Sequence, residues 1–266
     1  MRILNKIAFV ILMCQFSMFS CTTNKQWDLV WSEEFNYVGA PDATTWNFDT
    51  AGNAWGWGNN ELQHYTSSKY NNAIVEDGVL KITARKEKIA DKLYTSARLT
   101  TQNKIKFQYG KLEVRAKLPK GKGMWPAIWM LGQNIDSLGW PMCGEIDIME
   151  YVGYEPDTVY ATIHSDTYNH MRNTQKMKSI FIENPQAFHN YSIEWSKDKI
   201  DFYLNSQLYN TVLNEYKSTN EWPFDSNFFL LLNVAVGGNW GGKHGIDTLS
   251  FPAQMEVDYV RYYKRK

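Results

Sequence analysis

Three acidic side chains lie within the short segment 144–150, and their types and spacing suit acid–base chemistry. On a regular strand Glu145 and Asp147 point to one face, and the isoleucines between them point to the other. Strict alternation places Glu150 on the isoleucine face, where burying an ionised carboxylate is costly. A β-bulge at residues 148–149 returns Glu150 to the carboxylate face, and bulges are common beside active sites.

Crowded carboxylates repel one another, so the three groups cannot all be ionised at neutral pH. A retaining glycosidase needs this arrangement, because one carboxylate acts as nucleophile while a carboxylic acid about 5–5.5 Å away protonates the leaving oxygen. A half-exposed strand with a solvated acidic face would share the same spacing. The spacing alone leaves both interpretations open.

The elements that must position these residues are strands. Period-two alternation of apolar and polar residues, typical of strands with one buried face, covers residues 80–85, 111–118, 191–195 and 200–204. Phe228–Val236 is apolar apart from Asn233 and predicts a central strand buried on both faces. No long helical period is present. We therefore expect an all-β protein, a jelly-roll sandwich of two antiparallel sheets over residues 26–266.

Composition limits the kinds of partner. The chain has 28 basic and 28 acidic residues, and this zero net charge argues against nucleic acid and against an electrostatically bound membrane surface. The balance suits an uncharged substrate. Aromatic residues make up 15% of the chain, with 11 Trp and 16 Tyr, which can fill the core or stack on sugar rings.

The N-terminus has the pattern of a targeting signal. Arg2 and Lys6 give a positive start, and an apolar run covers residues 7–14. This run is shorter than the ~20 apolar residues that a membrane-spanning helix needs, which predicts a signal peptide over residues 1–20.

Cys21 follows a small residue at the end of the apolar stretch and resembles the lipid-attachment cysteine of bacterial lipoproteins. We expect Cys21 to be the lipidated first mature residue and residues 21–25 to form a short tether to the domain at 26–266. Cleavage near the same point without lipid is the alternative. The protein is therefore expected to be exported, as a cell-envelope lipoprotein in the periplasm or at the cell surface, or otherwise secreted.

The three cysteines are Cys14, Cys21 and Cys143. Two belong to the leader region, so a disulfide framework is excluded for the folded body. The motif places no histidine beside Cys143, which is expected to be a small buried residue rather than a reactive thiol.

The acidic segment resembles the active-site strand of glycoside hydrolase family 16 in its bulged form. Further stretches that resemble the same family are residues 59–63 with Tyr65, 123–132, 232–242 and 257–263. The resemblance runs from about Trp27 to the C-terminus. It implies a jelly roll with a concave substrate cleft and a laminarinase-like endo-β-1,3-glucanase acting on a neutral β-glucan.

The resemblance also implies roles for single residues. Glu145 is similar to the nucleophile and Glu150 to the acid/base. Asp147 corresponds to the carboxyl group that orients the nucleophile and helps to keep Glu150 protonated. His164 resembles a histidine near the acid/base, although a hydrogen-bonded core histidine is an equal interpretation.

Substrate contacts follow in the same way. Trp125 and Trp129, four residues apart and hence on one face of a strand, resemble the stacking walls around the cleaved bond. Arg98 and Asn59 look like contacts to sugar hydroxyls, with a surface turn or salt bridge as the alternative.

Two positions are informative without the resemblance. A polar amide at Asn233, inside an apolar run, must be hydrogen-bonded, so it either braces the sheet or meets substrate in the cleft. Trp240 lies among glycines, where a ring is poorly placed for a core and well placed to stack on sugar.

Many members of the family bind one structural calcium ion away from the cleft, and the matching positions are Glu34, Gly78 and Asp258. No cofactor is expected for catalysis, and the protein is expected to be a monomer.

The resemblance leaves other functions on the same fold open. Related branches cut mixed-linkage β-1,3-1,4-glucan, agarose or carrageenan, and a sulfated substrate calls for a more cationic cleft. The stretch 125–132 and Trp240 resemble the β-1,3-glucanase branch most closely. A non-catalytic β-glucan-binding protein typically lacks one or both glutamates, whereas Glu145 and Glu150 are both present.

Overall fold

A computed structural model describes residues 26–52 and 56–266. The proposed signal peptide, the lipidation site Cys21 and the tether 21–25 lie outside the described residues. The described residues form seventeen strands, numbered here in chain order, and almost no helix.

Two antiparallel sheets make up the architecture. The first sheet consists of β1 (Trp27–Glu33), β4 (Ala73–Glu76), β5 (Val79–Ala84), β8 (Gly110–Lys117), β13 (His189–Trp195), β14 (Lys199–Leu204), β15 (Gln207–Leu213) and β17 (Ala253–Arg265). The second sheet consists of β2 (Asn47–Phe48), β7 (Arg98–Thr100), β9 (Met124–Gly132), β10 (Glu145–Tyr151), β11 (Thr158–His164), β12 (Lys176–Phe181) and β16 (Phe228–Val236). This confirms the predicted sandwich.

Strand order places the acidic segment in the interior of the second sheet. Its strands follow the order β12-β11-β10-β9-β16-β7-β2, and a separate parallel pair is formed by β3 (Gln63–Tyr65) and β6 (Tyr94–Ser96). Because β10 has a partner on each side, its backbone is fixed along its length.

The core lies between the two sheets. Apolar side chains from one face of each sheet, such as Val114 and Phe202 from the first sheet and Ile146 and Leu230 from the second, belong to one buried cluster. The predicted alternating strands match β5, β8, β13 and β14. Every residue of β16 is buried, as the apolar run predicted, because its second face is covered as well.

Helical segments are short. The α-helix α1 spans Ile135–Leu138, and two 3-10 turns span Ser68–Tyr70 and His170–Arg172. An irregular turn with left-handed residues spans Gly56–Asn60. Within the described part of the chain, no helix has the length and apolarity needed to cross a membrane.

Candidate active site

A bulge in β10 brings the three carboxyl groups to one face. Pairing with both neighbouring strands shifts register after Asp147, and Ile148 has no partner on β9. Ile148 and Met149 both enter the core, so two consecutive side chains point inward. Glu150 therefore returns to the same face as Glu145 and Asp147, which confirms the predicted bulge.

Indole groups hold the two glutamates. Nε1 of Trp140 donates to Oε2 of Glu145 at 2.6 Å, and Nε1 of Trp125 donates to Oε1 of Glu150 at 3.2 Å. The Thr162 hydroxyl lies 3.5 Å from the other oxygen of Glu150. Each carboxylate is thus oriented by a rigid donor, and both bonds oppose in part the rise in pKa that burial causes.

Burial and mutual repulsion raise the pKa of all three carboxyl groups. Burial, followed by the charge of Asp147, raises the pKa of Glu145 to about 8. Burial also raises the pKa of Glu150 to about 7, where the charge of Glu145 adds to the shift and that of His164 opposes it. Burial and the charge of Glu150 raise the pKa of Asp147 well above its ordinary value. Protons are therefore shared within the cluster at neutral pH.

His164 lies beside the cluster from β11. Its Cα pairs with that of Glu145, and its Nε2 lies 3.4 Å from Oδ2 of Asp147. Glu145, Asp147 and His164 offer ligand atoms within 4.8 Å of one another, a spacing that could also suit a small metal ion. The same spacing serves a carboxylate cluster that works by proton transfer, and this is the interpretation that the adjoining Glu150 favours.

One side of the cleft is a connected network. Nε1 of Trp129 donates to Oδ1 of Asn233 at 2.7 Å, and Nδ2 of Asn233 donates to the Tyr65 hydroxyl at 3.1 Å. The guanidinium of Arg98 lies 4.8 Å from the Trp129 ring and 4.9 Å from the Trp57 ring. Asn233 therefore both lines the cleft and positions Trp129.

The opposite side is formed from different elements. Trp240 contacts Trp125 edge-on at 5.6 Å and Tyr160 at 5.0 Å between ring centroids. Trp240 and Tyr160 line a cavity of about 430 Å³ together with His164 and His170. The rings of Trp125 and Tyr160 thus hold the Trp240 ring at the cleft, and its stacking on sugar stays a prediction.

All of the predicted substrate contacts lie in the cleft. The cleft residues that the sequence singled out are Asn59, Arg98, Trp125, Trp129, His164, Asn233 and Trp240. The structure brings them together around Glu145 and Glu150, while their roles toward substrate stay predictions. For Arg98 the salt-bridge alternative also applies, because its Nε lies 3.1 Å from Asp49.

Sequence reasoning missed several residues at the site. They are Trp57, Glu61, Trp140, Tyr160 and His170. Trp140 carried a partial signal, since it stands five residues before the proposed nucleophile Glu145, but this separation does not show that its indole reaches the carboxylate. His170 carried none, because a turn at the sheet edge brings it to the cleft.

Cys143 is buried and unpaired, as predicted. Burial, together with the charge of Glu145, raises the pKa of its thiol to about 12. The thiol is therefore protonated at neutral pH and unsuited to nucleophilic chemistry.

The proposed calcium positions lie on the other sheet. β1 ends and β5 begins beside the same stretch of β17, so Glu34, Gly78 and Asp258 are neighbours. Both carboxylates already have a partner: Arg261 holds Glu34 with two bonds of 2.9 Å, and Arg115 pairs with Asp258. Calcium binding there requires Asp258 to exchange Arg115 for the ion, with main-chain carbonyls completing the site.

The two-sheet sandwich has a cleft lined by indole rings, and two of these rings donate hydrogen bonds to the paired glutamates. This combination is typical of a glycoside hydrolase of jelly-roll type. Residues 60–261 match the family model described as glycosyl hydrolases family 16. The chain belongs to this family.

Named relatives agree with this assignment. The chain is 49% identical over 246 residues to a protein named beta-glucanase from Rhodothermus marinus, covering 90% of this chain and 85% of the relative. It is 39% identical to a glucan endo-1,3-beta-glucosidase from Cryptopygus antarcticus, covering 97% of this chain and 98% of the relative. The X-ray structure of the laminarinase from Rhodothermus marinus superposes with a TM-score of 0.87 at 47% identity, covering 90% of this chain and 98% of that one.

Proposed function

We propose that this chain is an endo-acting, retaining β-1,3-glucanase that cleaves internal bonds of laminarin-type glucans. The bulge in β10 carries the proposal, because it brings Glu145, Asp147 and Glu150 to one face of the cleft. The names of two relatives, a glucan endo-1,3-beta-glucosidase and a laminarinase, support the choice of linkage.

The reaction has two steps. The Glu145 carboxylate attacks the anomeric carbon while the glycosidic C–O bond breaks and Glu150 gives its proton to the leaving oxygen. Glu150, now ionised, takes a proton from water as the water oxygen displaces Glu145 from the anomeric carbon. The configuration at that carbon is retained after two inversions.

The surrounding residues support these roles. Trp140 orients Glu145 for attack, and Trp125 orients Glu150 toward the leaving oxygen. Burial, with the charge of Glu145, raises the pKa of Glu150 and favours a proton on it before the first step. The imidazole of His164 lies beside Asp147, with 3.4 Å between its Nε2 and Oδ2 of Asp147.

The cleft chemistry suits a neutral glucan. The rings of Trp125, Trp129 and Trp240 offer apolar faces for pyranose rings. Among the described residues that line the cleft, Arg98 is the one arginine or lysine, and it is paired with Asp49. A sulfated polymer would meet little positive charge here.

The test is the release of reducing ends from laminarin, mixed-linkage β-glucan, agarose and carrageenan. We expect wild type to cut laminarin into short oligosaccharides, and Glu145→Gln to lose activity by at least about 10³-fold. Met171→Ala, an exposed change outside the cleft lining, is the matched control and should keep full activity.

Other outcomes separate the alternatives. Cleavage of mixed-linkage glucan or agarose alone would keep the mechanism and overturn the substrate. Binding of laminarin without cleavage of any polymer would favour a glucan-binding protein instead.

We also propose a structural calcium ion at Asp258, completed by main-chain carbonyls of Glu34 and Gly78. Its distance from the cleft means that the ion would stabilise the fold without taking part in catalysis. Adding a chelator should lower the melting temperature and leave the initial rate below that temperature unchanged. An unchanged melting temperature in calcium and in chelator would contradict the site.

Export and lipidation are proposed from the N-terminal pattern. Palmitate labelling of cells that express the full chain should label wild type but not Cys21→Ser, and fractionation should find wild type in the cell envelope. Unlabelled protein in the medium would favour simple secretion. A monomeric mass in solution is expected, and light scattering checks it.

A further inference from the structure

The two sides of the cleft differ in free volume, and the side with less of it is called narrow and the other wide. Both are bordered by Glu145 and Glu150 on β10. Toward β9, β16 and β7 the free volume is about 70 Å³, enclosed by the Trp129–Asn233 network. Toward β11 and β12 it is about 430 Å³.

This difference indicates which side holds which half of the substrate. The donor sugar must stay bound through both steps of a retaining reaction, whereas the leaving fragment must depart before water enters. The narrow, hydrogen-bonded side suits the donor, and the wide side suits the leaving glucan.

His170 is an unassigned residue on the wide side. Its ring centroid lies 5.1 Å from that of Trp140, with the two planes tilted by 32°, and 5.3 Å from that of His164, with the planes nearly perpendicular. It is solvent-exposed, and its ring nitrogens make no hydrogen bond with the described residues. Partial shielding of its ring from water, followed by the charge of His164, lowers the pKa of His170 and so favours the neutral imidazole, which offers one donor and one acceptor.

The turn that carries His170 is fixed. Asn169 is buried, and its Nδ2 donates to the carbonyls of Ser165 at 3.1 Å and Asp166 at 2.8 Å. Its Oδ1 accepts from the backbone N–H of Arg172 at 3.2 Å. His170 is therefore presented to the cleft on a braced backbone rather than on a loose loop.

We propose that His170 binds hydroxyl groups of the first glucosyl unit on the leaving side of the scissile bond and so determines acceptor specificity. The proposal rests on the glucanase function proposed above. The same contact would hold an acceptor sugar for transglycosylation. In that step an acceptor hydroxyl forms the new glycosidic bond as the bond to Glu145 breaks, and Glu150 takes the hydroxyl proton.

The experiment compares two substrates in His170→Ala, His170→Asn and Met171→Ala. Laminaripentaose has glucosyl units on both sides of the cleaved bond, whereas an aryl β-laminaribioside has only an aryl leaving group. We expect kcat/KM of His170→Ala to fall at least about five-fold more on laminaripentaose than on the aryl substrate, as loss of a hydrogen bond of about 1 kcal/mol implies. The fraction of transglycosylation products should fall in parallel, and His170→Asn should recover part of both.

Each outcome decides the question. Equal losses on both substrates would overturn the proposal, because His170 would then act through Trp140 on Glu145. No loss on either substrate would overturn it as well. Met171→Ala should match wild type throughout, and a wild type that fails to cut laminaripentaose would instead contradict the proposed glucanase function.

Discussion

At the scale of single residues, the site concentrates negative charge where the fold would be more stable without it. Glu145, Asp147 and Glu150 share one face of one strand, and the pKa of each is raised. The donors Trp140, Trp125 and Thr162, with His164 nearby, offset part of the repulsion. Such a cluster of repelling carboxyl groups with raised pKa values is expected at a catalytic centre and has no use in a purely structural strand.

The first prediction concerns Asp147→Asn. Because the charge of Asp147 raises the pKa of Glu145, its removal should lower that pKa and move the acidic limb of the kcat/KM profile to lower pH, by about one unit or less. The profile should stay bell-shaped, since Glu150 must still carry a proton. Lost orientation should reduce kcat by about 10²-fold. An acidic limb that stays in place would contradict the assigned coupling.

The second prediction concerns Glu145→Gln and stability. Glu145 ionises near 4.5 in the unfolded chain and at about 8 in the folded one, so the folded state holds more protons between these values. The free energy of unfolding therefore falls as pH rises through this window. Glu145→Gln has no carboxyl group to ionise at this position, so its free energy of unfolding should not fall for this reason. Its melting temperature should therefore exceed that of wild type by a margin that grows from pH 5 to pH 8. About 1 kcal/mol corresponds to roughly 2–4 °C for a chain of this size.

Differential scanning calorimetry at several pH values measures this margin. Met171→Ala should show none, because its exposed side chain meets no carboxylate of the cluster. A margin that is constant with pH would mean that the ionisation of Glu145 is not shifted by folding.

At the scale of elements, the bulge in β10 decides the chemistry. Without it Glu150 would face the core beside Ile146, and the second carboxyl group would be lost to the cleft. The paired strands β9 and β11 hold the bulge from both sides. The bulge thus accommodates one extra inward residue and keeps all three carboxyl groups on one face of the strand.

The third prediction is the deletion of Ile148, which removes the residue that has no partner on β9. In the shortened strand, regular alternation through Asp147, Met149 and Glu150 still places Glu150 on the cleft face, so the folded variant should keep part of its activity. Loss of the buried Ile148 side chain should lower the free energy of unfolding by about 2–5 kcal/mol. The substitution Ile148→Val keeps the bulge and serves as the control, with a loss of about 0.5–1.5 kcal/mol and near-normal activity. A folded deletion variant with no activity would contradict the view that the face occupied by Glu150 decides the chemistry.

The same element shows how far sequence reasoning reaches. Alternation within residues 144–150 predicted a strand. Strict alternation would have buried the carboxyl group of Glu150, and this conflict predicted the bulge, so Glu145, Asp147 and Glu150 could be placed on one face in advance. Trp140 and His170 could not, because their positions depend on how a loop and an edge turn pack against the sheet. Asn233 is an intermediate case. Its position in an apolar run predicted that its amide is hydrogen-bonded, but the sequence could not identify the partners as Trp129 and Tyr65.

At the scale of the whole molecule, zero net charge and a cleft with one paired arginine fit an uncharged polymer. The fourth prediction is that kcat/KM on laminarin changes by less than about two-fold between low salt and roughly 0.5 M NaCl, because no long-range attraction draws the substrate in. A steep decline with salt would indicate a charged substrate and would contradict the proposed one.

The central claim is that Glu145 forms the covalent intermediate. Incubation with a 2-deoxy-2-fluoro-β-laminaribiosyl fluoride slows the second step, and peptide mass spectrometry then locates the attached sugar. We expect the label on Glu145 in wild type, slower labelling in Trp140→Phe, and none in Glu145→Gln. A label on Glu150, or release of product with inverted configuration and no label, would contradict the account.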